Sequence, residues 1–300
     1  MSRFRLVVDR FAPAHAPALR AVFDERFADP RSTRGDRFAW DYWHVPDQYT
    51  LVRTPAWLYF PAAKYRAFHR HLVAWGRRTL GCWDVSPPWL SYYVEGCRQE
   101  LHADVPHGPW AFVWGLTPRG APRFRGGETL LLRPETLAYW QGFDGRQDRE
   151  RASFVERIPS RFDRLVAFDP RLPHGVTEVE GTRDPREARL VVHGWFTEPR
   201  PFAEGALSAR ALAGPLDEAT ADVAEALAQA GALHGTLALR LDVGRDGAVA
   251  RVRLLADTLV HLEAPGEEAP VRRLVRRRLA AARFPRARGA TRVTFPLLFR

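Results

Sequence analysis

Six short segments rich in valine, leucine and aromatic residues follow one another between residues 89 and 196, and they constrain the fold more than any other feature. Each is bounded by proline, glycine or aspartate, which is typical of β-strands joined by tight turns. The segments are 89–94, 110–116, 129–132, 165–168, 175–179 and 190–196. Helical spacing of apolar residues precedes them, at 17–27 and 62–80. Helices followed by many short strands favour a helix-supported β-sandwich or jelly roll over alternating βαβ units.

The composition changes near residue 200. All ten tryptophans and eight of the ten histidines precede this point, whereas alanine, leucine, valine and arginine dominate after it. The stretch 200–214 is interspersed with proline and glycine without a clear period, so we predict a linker there. The sequence therefore predicts two domains, 1–200 and 215–300.

The second predicted domain reads as helix, hairpin, helix and strand. Pro215 is the expected start of its first helix, whose apolar stripe is Leu216, Ala219, Val223, Leu227 and Ala230. Alternating leucine and valine over 237–243, a glycine-rich turn at 244–247 and a return strand at 248–255 predict the hairpin. Residues 271–279 predict the second helix and 293–299 the last strand. We therefore expect a small α+β domain.

The formal net charge of +10 first suggests nucleic acid as a partner. However, Lys64 is the single lysine among 45 basic residues and asparagine is absent, which is typical of a GC-rich bacterial codon bias. Residues 206–300 hold 15 arginines against 10 acidic residues, a net +5, so the two predicted domains share the excess equally. The one dense run, 272–278, is interpreted as a solvated helix face. Nucleic acid is therefore not the expected partner.

The N-terminal apolar patch from Leu6 to Val8 ends at Asp9, so it is shorter than the core of a secretion signal. No run approaches the roughly 18 apolar residues of a spanning helix, and we expect a cytoplasmic protein without a membrane partner. Cys82 and Cys97 can form neither a metal cage nor a disulfide framework by themselves. A glycine-rich phosphate loop is absent, which argues against nucleotide-dependent chemistry.

Two histidines and one aspartate form the candidate metal site. His102 and Asp104 are two residues apart, so both point to one face if the segment is extended. A strand and a proline-containing turn deliver His174, 72 residues downstream, at the start of the next strand. Two imidazoles and one carboxylate on one face are the ligand set that holds non-haem ferrous iron with open coordination positions.

Arg189 begins the predicted strand that follows His174. Its guanidinium is a suitable partner for the remote carboxylate of a dicarboxylic co-substrate. Arg183 and Arg186 are nearby rivals, but they lie in a polar turn where solvation is expected. Tyr93, nine residues before His102 on the preceding strand, could add a hydroxyl donor to the same carboxylate.

Several other residues keep open alternatives. His107 could be another ligand, although Pro106 and Gly108 beside it favour a turn. His193 shares a strand face with Arg189, so it either approaches the co-substrate or is a hydrogen-bonded core residue. The remaining candidates are Arg98 and Gln99 for substrate contact, and Trp40, Trp43, Trp110 and Trp114, which favour a core role over a substrate cage.

Taken in order, these features resemble one enzyme family. They are Tyr93, His102-Ala-Asp104, the strand 112–116, Phe124-Arg-Gly126-Gly127-Glu128-Thr129, Phe168-Asp-Pro, His174, Arg189 and Gly194-Trp195-Phe196. Over about 85–197 the chain is similar to the prolyl-4-hydroxylase-like branch of the Fe(II)/2-oxoglutarate dioxygenases. The resemblance implies a mainly β fold with α elements, a double-stranded β-helix (jelly roll) supported by the N-terminal helices.

The same resemblance implies the chemistry. His102, Asp104 and His174 would hold Fe(II), and Arg189, with Tyr93, would hold the C5 carboxylate of 2-oxoglutarate. Such an enzyme uses O2 and can also use ascorbate. It hydroxylates an unactivated C–H bond of a peptidyl prolyl or other residue, or of a small molecule, and releases succinate and CO2. Halogenating relatives replace the carboxylate ligand by a small residue, whereas this chain keeps Asp104, which implies hydroxylation. The identity of the substrate stays open.

Residues 215–300 resemble TonB C-terminal-like domains of the AgmX/PglI type, through Gly235-Thr, the segment 243–249, Arg283-Phe284-Pro285 and 293–297. Because we expect neither a membrane anchor nor a periplasmic spacer, we interpret this domain as a partner-binding module that uses a sheet edge, or as a cap on the oxygenase. The alternative for the whole chain is a non-catalytic β-helix scaffold that recruits partners through this domain. Nucleic-acid demethylation is a third alternative, which the dispersed charge disfavours.

Overall fold

The structure is a computed structural model that describes residues 4–29, 40–104, 107–120, 122–146, 150, 153–228 and 232–299, with the side chains of 222 and 224–228 left aside. The large sheet comprises β1 (Arg5–Asp9), β2 (Asp41–Val45), β3 (Tyr49–Pro55), β4 (Cys82–Val85), β5 (Trp89–Tyr93), β6 (Arg98–His102), β7 (Trp110–Gly115), β8 (Thr129–Leu132), β9 (Val155–Ile158), β10 (Arg164–Phe168), β11 (His174–Val176) and β12 (Arg189–Pro199). The helices α1 (Ala16–Arg26), α2 (Ala56–Tyr59), α3 (Ala62–Thr79) and α4 (Glu135–Gln141), with a 3-10 turn at Pro185–Glu187, accompany it.

The large sheet is antiparallel and curls on itself. Its strands run in the order β1-β10-β7-β12-β5-β3-β6-β11-β8-β9, with β2 paired to β3 and β4 paired to β12. Residues of β5, β7 and β12 line the same cavity as residues of β6, β8 and β11, so the two halves of the sheet face each other. The predicted fold class, a mainly β jelly roll with supporting helices and a small second unit, is confirmed.

Helices α1 and α3 cover the outer face of the strands that form one wall of this cavity. Phe68 of α3 stacks on Trp114 of β7 with ring centroids 4.2 Å apart. Gly76 brings α3 so close to β12 that an added Cβ would lie 2.7 Å from the Phe196 ring. Residues 190, 192 and 196 of β12 pack into this core, which leaves 189, 191, 193 and 195 on the cavity side.

The C-terminal unit, residues 202–299, has its own sheet and core. It contains β13 (Phe202–Gly205), α5 (Ala209–Ala228), β14 (Leu233–Val243), β15 (Val249–Asp257), β16 (Val260–His261), α6 (Ala269–Ala281) and β17 (Thr291–Phe299). The sheet order is β13-β17-β14-β15, with β16 beside β14. One face of β14 packs into this unit's core, whereas Ala238 joins Ala256 in the core of the large sheet. The two sheets therefore share a packed boundary.

The predicted linker 200–214 contains regular structure instead. Phe202–Gly205 is β13, which pairs with the last strand, and Ala209 already begins α5. Ser208 supplies the helix start, since its Oγ accepts the Ala211 amide at 3.3 Å, and Pro215 lies inside the helix rather than at its start. Because the partner strand of β13 lies about ninety residues away, the local sequence gives no indication of this pairing. The predicted stripe residues Leu227 and Ala230 lie outside the described side chains.

Most predicted elements agree with the structure within one or two residues, but several strands were not predicted with bounds. They are β1, β2, β3, β4, β9, β13 and β16, while β6 supplies the extended segment expected before Asp104. None of the helices in the described part of the chain has the length and apolar character needed to span a bilayer.

Candidate metal centre

Sheet pairing brings the predicted metal ligands together. His174, the first residue of β11, pairs with His102, the last residue of β6. The Nε2 atoms of both histidines lie 3.6 Å from the Asp104 carboxylate, one at each oxygen. Donor atoms that share one ion at about 2.1 Å lie roughly 3 Å apart, so a divalent transition metal fits this set with little adjustment. We call this group of three side chains the metal end of the cavity.

Backbone carbonyls fix the orientation of both imidazoles. His102 Nδ1 lies 2.8 Å from the carbonyl of Glu100, and His174 Nδ1 lies 2.9 Å from that of Leu172. A carbonyl oxygen can only accept, so each Nδ1 carries the proton and each Nε2 presents its lone pair towards Asp104. Both rings are thereby held in the tautomer that binds a metal through Nε2.

Asp104 is held from two sides. The Trp195 indole Nε1 donates a hydrogen bond to Oδ2 at 2.9 Å, and the Asp104 amide donates to the Pro170 carbonyl at 2.9 Å. Burial lowers the pKa of His174, a change that Asp104 opposes and His102 reinforces. The neutral imidazole that a metal requires is therefore the favoured form of His174.

Arg189 lies at the other end of the same cavity and is 1 % exposed. Its Nη2 donates to Thr129 Oγ1 at 3.4 Å, but Nε and Nη1 have no hydrogen-bond partner. Gly127 makes room for it, since an added Cβ there would lie 3.0 Å from the Arg189 Cδ. Burial lowers the pKa of Arg189. A buried guanidinium with two unused donors fits an anionic ligand, and we call this part of the cavity the arginine end.

Tyr93 packs against Arg189, with which it pairs in register across β5 and β12. The guanidinium carbon lies 4.4 Å from the centre of the phenol ring, and burial raises the pKa of Tyr93. The Tyr93 hydroxyl donates to Gln99 Oε1 at 2.9 Å. Its ring therefore supports the arginine, and its only hydroxyl proton is directed to Gln99.

The cavity that joins the two ends has a volume of about 290 Å³. Its walls come from both halves of the curled sheet and from the β2–β3 hairpin. The polar and charged residues among those that line it are Arg53, Gln99, His102, Asp104, Thr129, His174, Arg189 and His193. This size and lining are typical of a small-molecule site with a few placed polar groups.

His193 occupies the cavity wall between the two ends. Its Nε2 lies 2.8 Å from Ser91 Oγ. Desolvation first, and the guanidinium groups of Arg189 and Arg53 next, lower its pKa to about 3. His193 is therefore a hydrogen-bonded neutral imidazole that also lines the cavity, and its approach to the co-substrate stays a prediction.

The remaining candidates separate clearly. His107 packs against Trp195 with the rings tilted and their centroids 4.6 Å apart, and it does not belong to the described cluster of metal-ligating side chains. The turn predicted at Pro106 lies outside the described residues. Gln99 lines the cavity, whereas the Arg98 side chain is paired with acidic residues outside it. Arg183 and Arg186 are likewise paired in the polar turn, with Glu95 and Asp184 respectively.

Sequence reasoning missed the aromatic and basic group at the cavity wall formed by the β2–β3 hairpin. The Arg53 guanidinium carbon lies 3.3 Å from the Trp43 ring centre and 4.2 Å from that of Trp89, and Nε is paired with Asp41 at 3.0 Å. Trp43 therefore lines the cavity, whereas Trp110 and Trp114 are core residues as expected. The alternation of Asp41 and Trp43 opposite Leu51 and Arg53 was the available signal.

Comparisons with known proteins gave matches only among solved structures: no known family matches the sequence, and neither does any curated protein. A prolyl-4-hydroxylase from Pseudomonas putida is 17% identical, with 66% of this chain and 94% of that chain covered and a TM-score of 0.44. A prolyl hydroxylase from Trichoplax adhaerens, in complex with a hypoxia inducible factor peptide fragment, is 12% identical over 65% of this chain and 84% of that one, with a TM-score of 0.42. HygX from Streptomyces hygroscopicus, with nickel and 2-oxoglutarate bound, is 12% identical over 64% and 81%, with a TM-score of 0.41.

Proposed function

We propose that this protein is an Fe(II)- and 2-oxoglutarate-dependent dioxygenase that hydroxylates an unactivated C–H bond and releases succinate and CO2. One observation carries the proposal: a His-Asp-His cluster and a buried arginine with two unused donors share one cavity. The cluster suits a transition metal with open positions, and the arginine suits a carboxylate. A ligand that spans the two ends must be a metal chelator with a distant anionic group, and 2-oxoglutarate is such a molecule.

His102, Asp104 and His174 would hold the iron, which, when bound, supplies the oxygen chemistry together with 2-oxoglutarate. The imidazole orientation set by Glu100 and Leu172 presents both Nε2 lone pairs without rearrangement. Asp104 adds one negative charge, which offsets part of the metal charge in a cavity that also contains arginine.

Arg189 would bind the C5 carboxylate of 2-oxoglutarate through one of its free nitrogens, Nε or Nη1, together with the second N–H of the adjacent Nη2. Such a bidentate pair would satisfy one of the two free donors and reduce the cost of leaving them buried without partners. Thr129 and the Tyr93 ring hold the guanidinium in place for that contact. Tyr93 could add its hydroxyl to the carboxylate only by giving up the bond to Gln99.

The prime substrate would enter beside the β2–β3 hairpin, whose Trp43, Tyr49 and Arg53 line the cavity. A peptidyl residue or a small molecule is compatible with these aromatic and polar surfaces. Ascorbate would serve as an additional reductant. Because Asp104 occupies the carboxylate position, we propose hydroxylation as the outcome.

The proposal is tested with the full-length chain, by titrating Fe(II) and 2-oxoglutarate under anaerobic conditions and then measuring succinate after O2 is admitted. We expect 2-oxoglutarate to bind only when the metal is present. His174→Ala should abolish both metal binding and succinate release, while His69→Ala, on helix α3 and outside the cluster, should retain both. Unchanged turnover in His174→Ala would refute the assignment.

The second candidate function is a non-catalytic β-helix scaffold that recruits partners through the C-terminal unit, which we still propose to be TonB-like. The feature that favours it is β15, which lies at the edge of the small sheet and whose residues 250 and 251 are exposed. An edge strand can pair with a strand from a partner protein. A scaffold would show neither metal-dependent 2-oxoglutarate binding nor succinate formation in the same titration.

A further inference from the structure

Residues 169–173 join β10 to β11, and we call them the ligand loop because two of the three metal-ligand candidates hydrogen-bond to it. The Asp104 amide donates to the Pro170 carbonyl at 2.9 Å. The His174 Nδ1–H donates to the Leu172 carbonyl at 2.9 Å. A displacement of this loop would therefore move the carboxylate and one imidazole of the metal end together.

The loop is held in its turn by one carboxylate. Asp169 Oδ1 accepts hydrogen bonds from the Arg171 amide and from Arg171 Nε, each at 3.0 Å, and Oδ2 accepts one from Arg171 Nη2 at 2.7 Å. The side-chain hydrogen bond to Asp169 also raises the pKa of Arg171. An aspartate that bonds to the amide two residues later is a common way to fix such a turn.

The C-terminal unit forms hydrogen bonds with both Asp169 and Arg171. Thr258, which is 2 % exposed, donates its hydroxyl to Asp169 Oδ2 at 3.2 Å. The same hydroxyl oxygen accepts the Thr236 amide at 2.8 Å, which orients it. Arg171 Nη1 donates to the Phe299 carbonyl on the last strand, at 3.1 Å. Two polar contacts thus connect the C-terminal sheet to the loop that orients the ligands.

The ligand loop is not packed closely against the C-terminal unit. A largely apolar cavity of about 350 Å³ lies between the ligand loop and the C-terminal unit, lined by Leu172 and Pro173 on one side and by His234, Thr258 and Val260 on the other. None of the described side chains of the C-terminal unit fills this open space, so packing there does not fix the loop. The hydrogen bonds of Thr258 and Phe299 therefore limit its position on this side.

We propose that the C-terminal unit is a positioning element of the metal centre, acting through Thr258 and the Phe299 carbonyl on the ligand loop. This inference rests on the proposed function, because it assumes that the His-Asp-His cluster binds a metal. It gives the C-terminal unit a role in the enzyme itself, beyond any partner that its sheet edge binds. Thr258 and Arg171 are positioning residues that touch neither metal nor substrate.

Thr258→Val tests the proposal, since it removes the hydroxyl but keeps the shape of the side chain. The readout is the dissociation constant of Mn(II), used alone as the probe and titrated anaerobically into the full chain. Loss of an outer partner of a metal ligand costs roughly 10- to 100-fold in affinity, and we expect about tenfold here because the effect passes through the loop. Thr258→Ser keeps the hydroxyl and should restore the wild-type affinity.

Thr294→Val is the matched control. Thr294 is also 2 % exposed in the C-terminal unit and donates to the first unit, at 2.9 Å from the Arg78 carbonyl, but this contact is made to α3 and not to the ligand loop. It should lower the free energy of unfolding about as much as Thr258→Val, without changing Mn(II) affinity. At saturating Fe(II), the KM for 2-oxoglutarate should be unchanged in all three variants, because Arg189 does not contact the loop.

Equal Mn(II) affinity in folded Thr258→Val and in the wild type would overturn the inference. Should Thr258→Val fail to fold, Arg171→Met at a half-buried position removes the contact to Phe299, and wild-type affinity there would overturn the inference equally. A wild-type chain that binds no Mn(II) would instead refute the proposed function. The two failures are therefore distinguishable.

Discussion

At the metal end of the cavity every candidate ligand already has the hydrogen bonds that orient it, whereas at the arginine end a buried cation keeps two nitrogens without partners. The imidazoles are fixed by carbonyls two residues earlier in the chain, and Asp104 by the indole of Trp195. Arg189 has one hydrogen bond of 3.4 Å and an aromatic neighbour. The metal end is thus organised before any ligand arrives, while the arginine end is complete only when an anion binds.

The two ends of the cavity differ in how much they destabilise the chain when no ligand is bound. A buried guanidinium without an anion destabilises the unliganded chain, and the same feature makes the binding of a carboxylate favourable. The metal end leaves no N–H donor unpaired, because both Nδ1 protons are accepted by backbone carbonyls and the Trp195 indole donates to Asp104. Binding of a carboxylate at the arginine end should therefore stabilise the protein.

The largest expected effect comes from Arg189→Met. Removing one partner of a buried charged contact costs 2–5 kcal/mol, so the KM for 2-oxoglutarate should rise roughly 30-fold or more. Without ligand the variant should be more stable than the wild type by about 1–3 kcal/mol, because two unsatisfied donors disappear. Denaturant unfolding and steady-state kinetics measure the two effects. Arg98→Met, at a paired arginine outside the cavity, is the control. If Arg189→Met without ligand were less stable than the wild type, the difference inferred between the two ends of the cavity would be wrong.

A smaller effect is expected from Trp195→Phe, which keeps an aromatic ring beside His107 but removes the indole donor to Asp104. Metal affinity should fall about tenfold, with the KM for 2-oxoglutarate unchanged at saturating metal. Trp83→Phe removes an indole donor to the Arg200 carbonyl, at 3.2 Å and far from the cavity, and should leave metal affinity as it is. If Trp195→Phe bound Mn(II) as tightly as the wild type, the metal end would not depend on this contact.

The smallest effect concerns His193, whose folded pKa of about 3 lies below its ordinary value of 6.5. The unfolded chain takes up a proton as the pH falls below about 6.5, while the folded chain does not, so His193 lowers the free energy of unfolding between about pH 6.5 and pH 3. His193→Gln should flatten that part of the stability curve, measured by denaturant unfolding at several pH values. Some slope should remain, since burial also lowers the pKa of His15 and His69. If the slope were unchanged, His193 would be protonated as readily in the folded protein as in the unfolded chain.

Much of the centre was predictable because it depends on local patterns. The spacing of His102 and Asp104 on an extended segment, and the turn that leads to His174, are visible in the sequence, and β6 and β11 bring the three together. The jelly-roll class follows from the run of short strands with their turn residues. The bounds of most of those strands agree with the structure because each one is marked by its own flanking residues.

The rest depends on contacts between distant parts of the chain. Arg53 reaches the cavity because β3 pairs with β5, and no local pattern fixes that register. The hydroxyl of Thr258 meets Asp169 across 89 residues of sequence. Phe202–Gly205 was predicted as linker because its partner strand begins at Thr291. Such pairings are decided by packing, which spacing and composition do not record.

The short passage between the two sheets limits how this chain could be divided. Only Arg200 and Pro201 separate β12 from β13, and the Arg200 amide donates to the Gly81 carbonyl at 2.9 Å. Pro296 of β17 covers Gly81, whose α-carbon faces it so closely that a Cβ would lie 2.6 Å from the proline ring. A chain shortened at Pro199 would lose Pro296, Ala238 and Ala256 and would expose to water the residues of the first unit that they cover. For recombinant work the two sheets should therefore be treated as one unit that is expressed, exchanged or immobilised as a whole.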